Sequence, residues 1–106
     1  MANALSGVEA TFLSLDAQYG VLRAACKTQE QRDALAAQYA AAQQNYQSTL
    51  NAMLTDDDAE VAALSTQLQA ANAQVVRATA ESGNISKVID DITTAVSLGA
   101  KLVTMA

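Results

Sequence analysis

Apolar residues in this chain recur at alternating intervals of three and four, the interval at which one side of an α-helix repeats. The first stripe is Leu5, Val8, Phe12, Leu15, Tyr19, Leu22 and Cys26. It stops at a wholly polar stretch from Lys27 to Asp33 and resumes as Leu35, Tyr39, Ala42, Tyr46, Leu50 and Met53. A third stripe runs through Val61, Leu64, Leu68, Ala71, Val75 and Ala78, and a fourth through Ile85, Val88, Ile89, Ile92, Ala95, Val96, Gly99, Leu102 and Val103. The pattern predicts an all-α fold with helical segments at about 4–26, 29–54, 56–82 and 85–104, forming one helical domain over residues 1–106.

Helix punctuation refines this picture. Ser6-Gly7-Val8-Glu9 has the S-x-x-E form of a capping box, which places the first helix start there or at Asn3. Thr55 followed by Asp56, Asp57 and Asp58 reads as the start of the third helix, with Thr55 as cap and the carboxylates complementing the partial positive charge of the helix end. Gly83-Asn84 offers a stop or a kink. The polar gap at Lys27 to Asp33 holds no Gly, Pro or Asn. It therefore predicts a helix that runs on through the gap, with Thr28 as the alternative cap of a new helix.

A turn at Thr55–Asp58 makes the second and third stripes an antiparallel hairpin with coiled-coil-like seams. Met53 then faces Val61, Leu50 faces Leu64, Tyr46 faces Leu68, Ala42 faces Ala71 and Tyr39 faces Val75. Continued outward, the same register pairs Cys26 with Val88, Leu22 with Ile92, Tyr19 with Ala95, Leu15 with Gly99 and Phe12 with Leu102. This continuity favours one long hairpin with arms of roughly 75 Å at the α-helical rise. The rival is an up-down four-helix bundle, in which the chain reverses at the polar gap and again at Gly83-Asn84.

Composition changes the picture in one respect. Apolar residues make up 51% of the chain, but there is one phenylalanine and no tryptophan, and alanine is the commonest residue. Large side chains are scarce, so the core should be a thin seam that self-association would complete. Proline is absent, as long helices require.

A net charge of -5 and a pI near 4.3 exclude a generic nucleic-acid binder, which needs a basic face to neutralise phosphate, and disfavour anionic membrane surfaces. Met1 to Ser6 lacks the basic start of a secretory signal, and the most apolar stretch, Ile85 to Ala106, is broken by Lys87, Asp90, Asp91 and Lys101. Neither a signal peptide nor a transmembrane helix is expected. A single cysteine permits no internal disulfide. These features predict a cytoplasmic protein, or one exported by a leaderless route.

Candidate chemistry is sparse. Asp56, Asp57 and Asp58 are consecutive, so they point in different directions and suit a helix cap better than a calcium loop. Cys26 has no histidine to activate it, and reads as a buried seam residue. Lys87 with Asp90 and Asp91, and Arg77 with Glu81, have the spacing of surface helix pairs. Tyr19, Tyr39 and Tyr46 lie on the seams as packing residues with hydroxyls at the edge. There is no phosphate loop, metal-ligand spacing or nucleophile elbow. The expectation is a non-enzyme without catalytic, cofactor or metal residues.

What remains is interaction. The expected role is a helical protein–protein interaction or assembly module whose partner is another protein or itself, as a homo-oligomer. The residues expected to carry contact are Ile85, Val88, Ile89, Ile92 and Val96, on the most apolar helix face. One alternative is a leaderless translocated or membrane-active protein using the C-terminal amphipathic segment. Another is a small inhibitor or immunity protein.

Overall fold

The computed structural model describes residues 5–50, 54, 58–81 and 84–105. These hold four helices: α1 (Ser6–Ala25), α2 (Gln29–Thr49), α3 (Ala59–Glu81) and α4 (Ile85–Met105). Each of these helices falls on one of the four expected segments. The caps, however, differ from expectation in ways that set the fold.

Ser6 is already helical, and the cap position falls on Leu5, whose carbonyl accepts the amides of Val8 at 3.0 Å and Glu9 at 3.3 Å. The Ser6–Glu9 capping box therefore does not form; Asn3 lies outside the described residues. At the polar gap, Cys26 leaves helical space at φ -65° and ψ 135°. Thr28 then caps α2 by accepting the amide of Gln31 at 3.1 Å, while Gln31 Oε1 accepts the amide of Lys27 at 2.7 Å. The chain breaks here without Gly or Pro because two side chains satisfy the orphan amides that a helix start exposes. This overturns the helix expected to run on through residues 27–33.

Asp58 caps α3, accepting the amides of Glu60 at 2.8 Å and Val61 at 3.4 Å, whereas Thr55, Asp56 and Asp57 lie outside the described residues. Asn84 Oδ1 accepts the amide of Lys87 at 3.3 Å, so Asn84 starts α4; Gly83 lies outside the described residues.

Contacts between helices give their directions. Phe12 stacks on Tyr46 with ring centroids 5.0 Å apart, and Tyr19 meets Tyr39 at 4.5 Å, so numbers rise along α1 as they fall along α2. That pair is antiparallel. Gly7 touches Leu68 and Thr11 bonds Asn72, so α1 and α3 run parallel. Gln31 Nε2 donates to Ser86 Oγ at 3.0 Å and Asn45 Nδ2 to the Val96 carbonyl at 3.2 Å, so α2 and α4 also run parallel. Around the bundle the corners follow in the order α1, α2, α4, α3. The two chain-adjacent hairpins, α1–α2 and α3–α4, lie side by side.

This four-helix bundle measures 43 × 23 × 18 Å. The long hairpin, with arms of roughly 75 Å at the α-helical rise, is therefore excluded. Helices α2 and α3 occupy opposite corners, with no Cα pair within 8 Å. The expected facings of Tyr46 with Leu68, Ala42 with Ala71 and Tyr39 with Val75 thus give way to other neighbours, and Leu50, expected to face Leu64, is 61% exposed. Met53 lies outside the described residues.

Across the other diagonal α1 and α4 do approach, antiparallel as expected but one heptad out of register. Val8, rather than Leu15, meets Gly99, where an added Cβ would stand 3.6 Å from the valine methyl. A slip of seven residues keeps the same stripe pointing inward, so periodicity does not distinguish the two registers.

The core has two apolar clusters. One, near the start of α1, joins Leu5, Val8, Val61, Leu68, Ala95 and Leu102. The other joins Phe12, Leu15, Leu22 and Cys26 to Leu35, Ala42, Ala78 and the buried face of α4. Each fully buried Leu, Val or Ile contributes about 1.5–3 kcal/mol, and Ala42, Ala95 and Gly99 let the helices approach closely enough to seal the thin seam.

Candidate interaction surface

The closed bundle places Val88, Ile89, Ile92 and Val96 in the core and leaves Ile85 half-buried. The free contact surface expected of these five residues is therefore corrected: their face of α4 is covered by the other helices of its own chain. Its charged side runs outward, with Lys87, Asp90 and Lys101 exposed and Lys87 Nζ 3.3 Å from Asp91 Oδ2. Strong amphipathicity marked α4 as a helix that must bury one face, and the rest of the chain supplies that burial.

The remaining candidates also find structural places. Cys26 is buried and its thiol donates to the Leu22 carbonyl at 3.4 Å. Arg77 donates to Gln74 Oε1 at 3.1 Å, and the Glu81 side chain lies outside the described part. All three tyrosines are half-buried packing residues, as their spacing predicted, but they join α1 to α2 rather than meeting the α3 and α4 partners the register had assigned them. Tyr39 donates its hydroxyl proton to Asp16 Oδ1. That hydrogen bond raises the Tyr39 pKa above the ordinary phenol value, with desolvation and the nearby Asp16 and Tyr19 charges adding to it.

A different surface stands out once the helices are assembled. The outward side of α1, opposite its core stripe, carries Ala10, Leu13, Ala17, Gly20, Val21 and Ala24, all exposed and none charged. Beside it, α3 exposes Ala70, Ala73, Val76 and Ala80, with Arg77 among them. Leu13 is 49%, Val21 65% and Val76 58% exposed. A solvated helix of a monomer normally turns charge outward, so an apolar stripe on both sides of α1 is unusual.

Between the two helices lies an open groove of about 320 Å³, lined by Leu15, Gln18, Val21 and Leu22 on one side and Val75, Val76 and Thr79 on the other. One end of the α1–α3 pair is clasped by polar groups. Asn72 Nδ2 donates to the Gly7 carbonyl at 3.1 Å, and the Thr11 hydroxyl lies 2.6 Å from Asn72 Oδ1 and 2.8 Å from the Gly7 carbonyl. Gly7 permits this approach, because a Cβ there would stand 2.9 Å from Leu68 Cδ2. Further along, short and polar side chains such as Ser14, Gln18 and Thr79 fail to fill the space, and the groove opens.

The second stripe of α1 was present in the sequence at the same three-and-four spacing as the core stripe. It was missed because alanine and glycine are weak apolar markers beside Leu, Val and Phe. Gly20 was a further signal: it lies mid-helix with nothing within 4 Å of where its Cβ would stand, so the monomer gives no packing reason for it. Among the described residues no helix is long and apolar enough to cross a membrane. No family model, no curated protein and no solved structure matches the chain, so the reading of this face rests on its own geometry.

Proposed function

We propose that this protein is a non-enzymatic interaction or assembly module that binds a protein through the outer face of α1 and the adjoining α1–α3 groove. The observation that carries the reading is the exposure of Leu13, Val21 and Val76 on a surface whose other exposed members are mostly alanine. Such a patch is stabilised when a second apolar helix covers it, and parallel ridges of small residues let that helix approach closely. The working surface is thus moved from α4, where the sequence suggested it, to α1 and α3.

A non-catalytic role fits the chemistry. The chain has no histidine, and its one thiol is buried and donates to a main-chain carbonyl, so it offers neither an imidazole base nor an exposed thiol nucleophile. The net charge of -5 favours a protein partner over a nucleic acid.

The test is site-specific photo-crosslinking of the full chain in cells, with the crosslinker at Val21 or Val76 and a control at exposed Gln44 on α2. Discrete protein adducts from positions 21 and 76, absent from 44, support the reading. No adduct, or the same adducts from all three positions, overturns it.

A further inference from the structure

Which partner fits this face is indicated by its charges. Helix α1 carries only three charged residues, Glu9, Asp16 and Arg23, spaced seven apart and therefore on one flank, the side towards α2. Glu9 and Arg23 are both exposed, and neither makes an ion pair among the described residues. Within one chain they cannot meet, being about 21 Å apart along a straight helix. The flank is acidic at its start and basic at its end, around a centre near Asp16.

That order is self-complementary. When two such helices pack antiparallel about a two-fold axis, each flank faces the same flank of the other helix in the reverse direction. We infer that the face is covered by a second copy of this chain, with two α1 helices packed antiparallel so that Glu9 of each copy meets Arg23 of the other. This rests on the reading of the face as an interaction surface and names its occupant.

In that register Leu13 packs on Ala17 of the second copy, and Ala10 on its Gly20. At least one small residue in every layer allows a close approach, and Gly20, which has open space where its Cβ would stand in the single chain, gains a reason for being glycine. The two Asp16 residues come near the axis, where like charges would oppose pairing. Each is turned to its own Tyr39, whose hydroxyl bonds the carboxylate, and so away from the contact.

The decisive experiment is sedimentation equilibrium of the full chain over a concentration series, with charge-swap variants. The wild type is expected to form a dimer. Glu9→Lys or Arg23→Glu alone should raise its dissociation constant about ten-fold, because each creates two like-charged contacts. The double variant Glu9→Lys/Arg23→Glu should return it to within about three-fold of wild type, since the pairing is restored with its sense reversed. Leu13→Glu, at a site where the single chain is open to solvent, should abolish the dimer without unfolding the bundle.

A dimer indifferent to all of these changes overturns the inference, as does a double variant no better than the singles. A chain that stays monomeric at every concentration overturns it too. If crosslinks from Val21 and Val76 then capture a different protein, the interaction reading stands and only its occupant is wrong. If they capture nothing, both fall.

Discussion

Thr28 accepts the amide of Gln31 at 3.1 Å, and in return the Gln31 side chain accepts the amide of Lys27 at 2.7 Å. This reciprocal cap ends the run from α1 and turns the chain into α2. Replacing Thr28 with Ala leaves the Gln31 amide without its side-chain partner and should cost about 1 kcal/mol. Thr28→Asp should retain stability. Urea unfolding with an unchanged slope and a lowered midpoint is the expected observation.

The two described glycines of α1 should respond oppositely to alanine. At Gly20 the new methyl meets nothing within 4 Å, so Gly20→Ala should stabilise the folded chain by about 1 kcal/mol through helix propensity. At Gly7 the methyl would stand 2.9 Å from Leu68 Cδ2, and Leu68 is fully buried with little room to retreat. Gly7→Ala should therefore destabilise by about 1 kcal/mol despite the same gain in propensity. Thermal unfolding of both variants, compared at low protein concentration, checks the pair.

Thr11 and Asn72 hold the clasped end of the α1–α3 pair. Thr11→Val and Asn72→Ala should each cost about 1 kcal/mol, since the first takes a bond from half-buried Asn72 and the second takes one from the buried Thr11 hydroxyl and one from the Gly7 carbonyl, which keep their bond to each other. The double variant should cost less than the sum. A double-mutant cycle read by urea unfolding gives the coupling, and strict additivity would argue against the clasp.

Tyr39 is a proton donor to Asp16, and its pKa lies above the ordinary phenol value because that bond favours the protonated form. A raised pKa means the folded chain holds this proton more tightly than the unfolded chain. The contribution is therefore fully present below the unfolded phenol pKa and is lost as pH rises through the folded one. In a Tyr19→Phe/Tyr46→Phe background, tyrosinate absorbance should titrate higher in the wild-type site than after Asp16→Asn. No difference between the two would remove the hydrogen bond from the account.

Cys26 is buried with its thiol bonded to the Leu22 carbonyl. Its reaction with an aromatic disulfide reagent should be slow in the native state and should accelerate in step with unfolding by urea. A fast native reaction would show that the α1 end opens locally.

Much of the fold was legible residue by residue. The inward stripe of α1 from Leu5 to Cys26 is buried except for half-buried Tyr19, and the inward residues of α4 from Val88 to Leu102 are buried as their spacing required. The exposed apolar face of α1 was legible only in part. Ala10, Leu13, Ala17, Gly20 and Ala24 repeat correctly, but a stripe of small residues declares itself as exposed only when the opposite stripe is known to be covered. Arg77, Val76 and Ala80 join that face only because α3 lies beside α1, an adjacency that no local pattern encodes.

By itself, the sequence determined that there are helices, where they lie and which side of each turns inward, because these follow from a local repeat and from side chains bonding amides three residues on. Tertiary structure alone decided which helices are neighbours. Amphipathic helices specify a face and not an opposite number, and a slip of one heptad, such as that bringing Val8 rather than Leu15 to Gly99, presents the same face again. The choice of α1 beside α3 and α2 beside α4 therefore rests on the summed packing of all four helices. That same choice buries the most apolar helix and leaves the outer side of α1 uncovered.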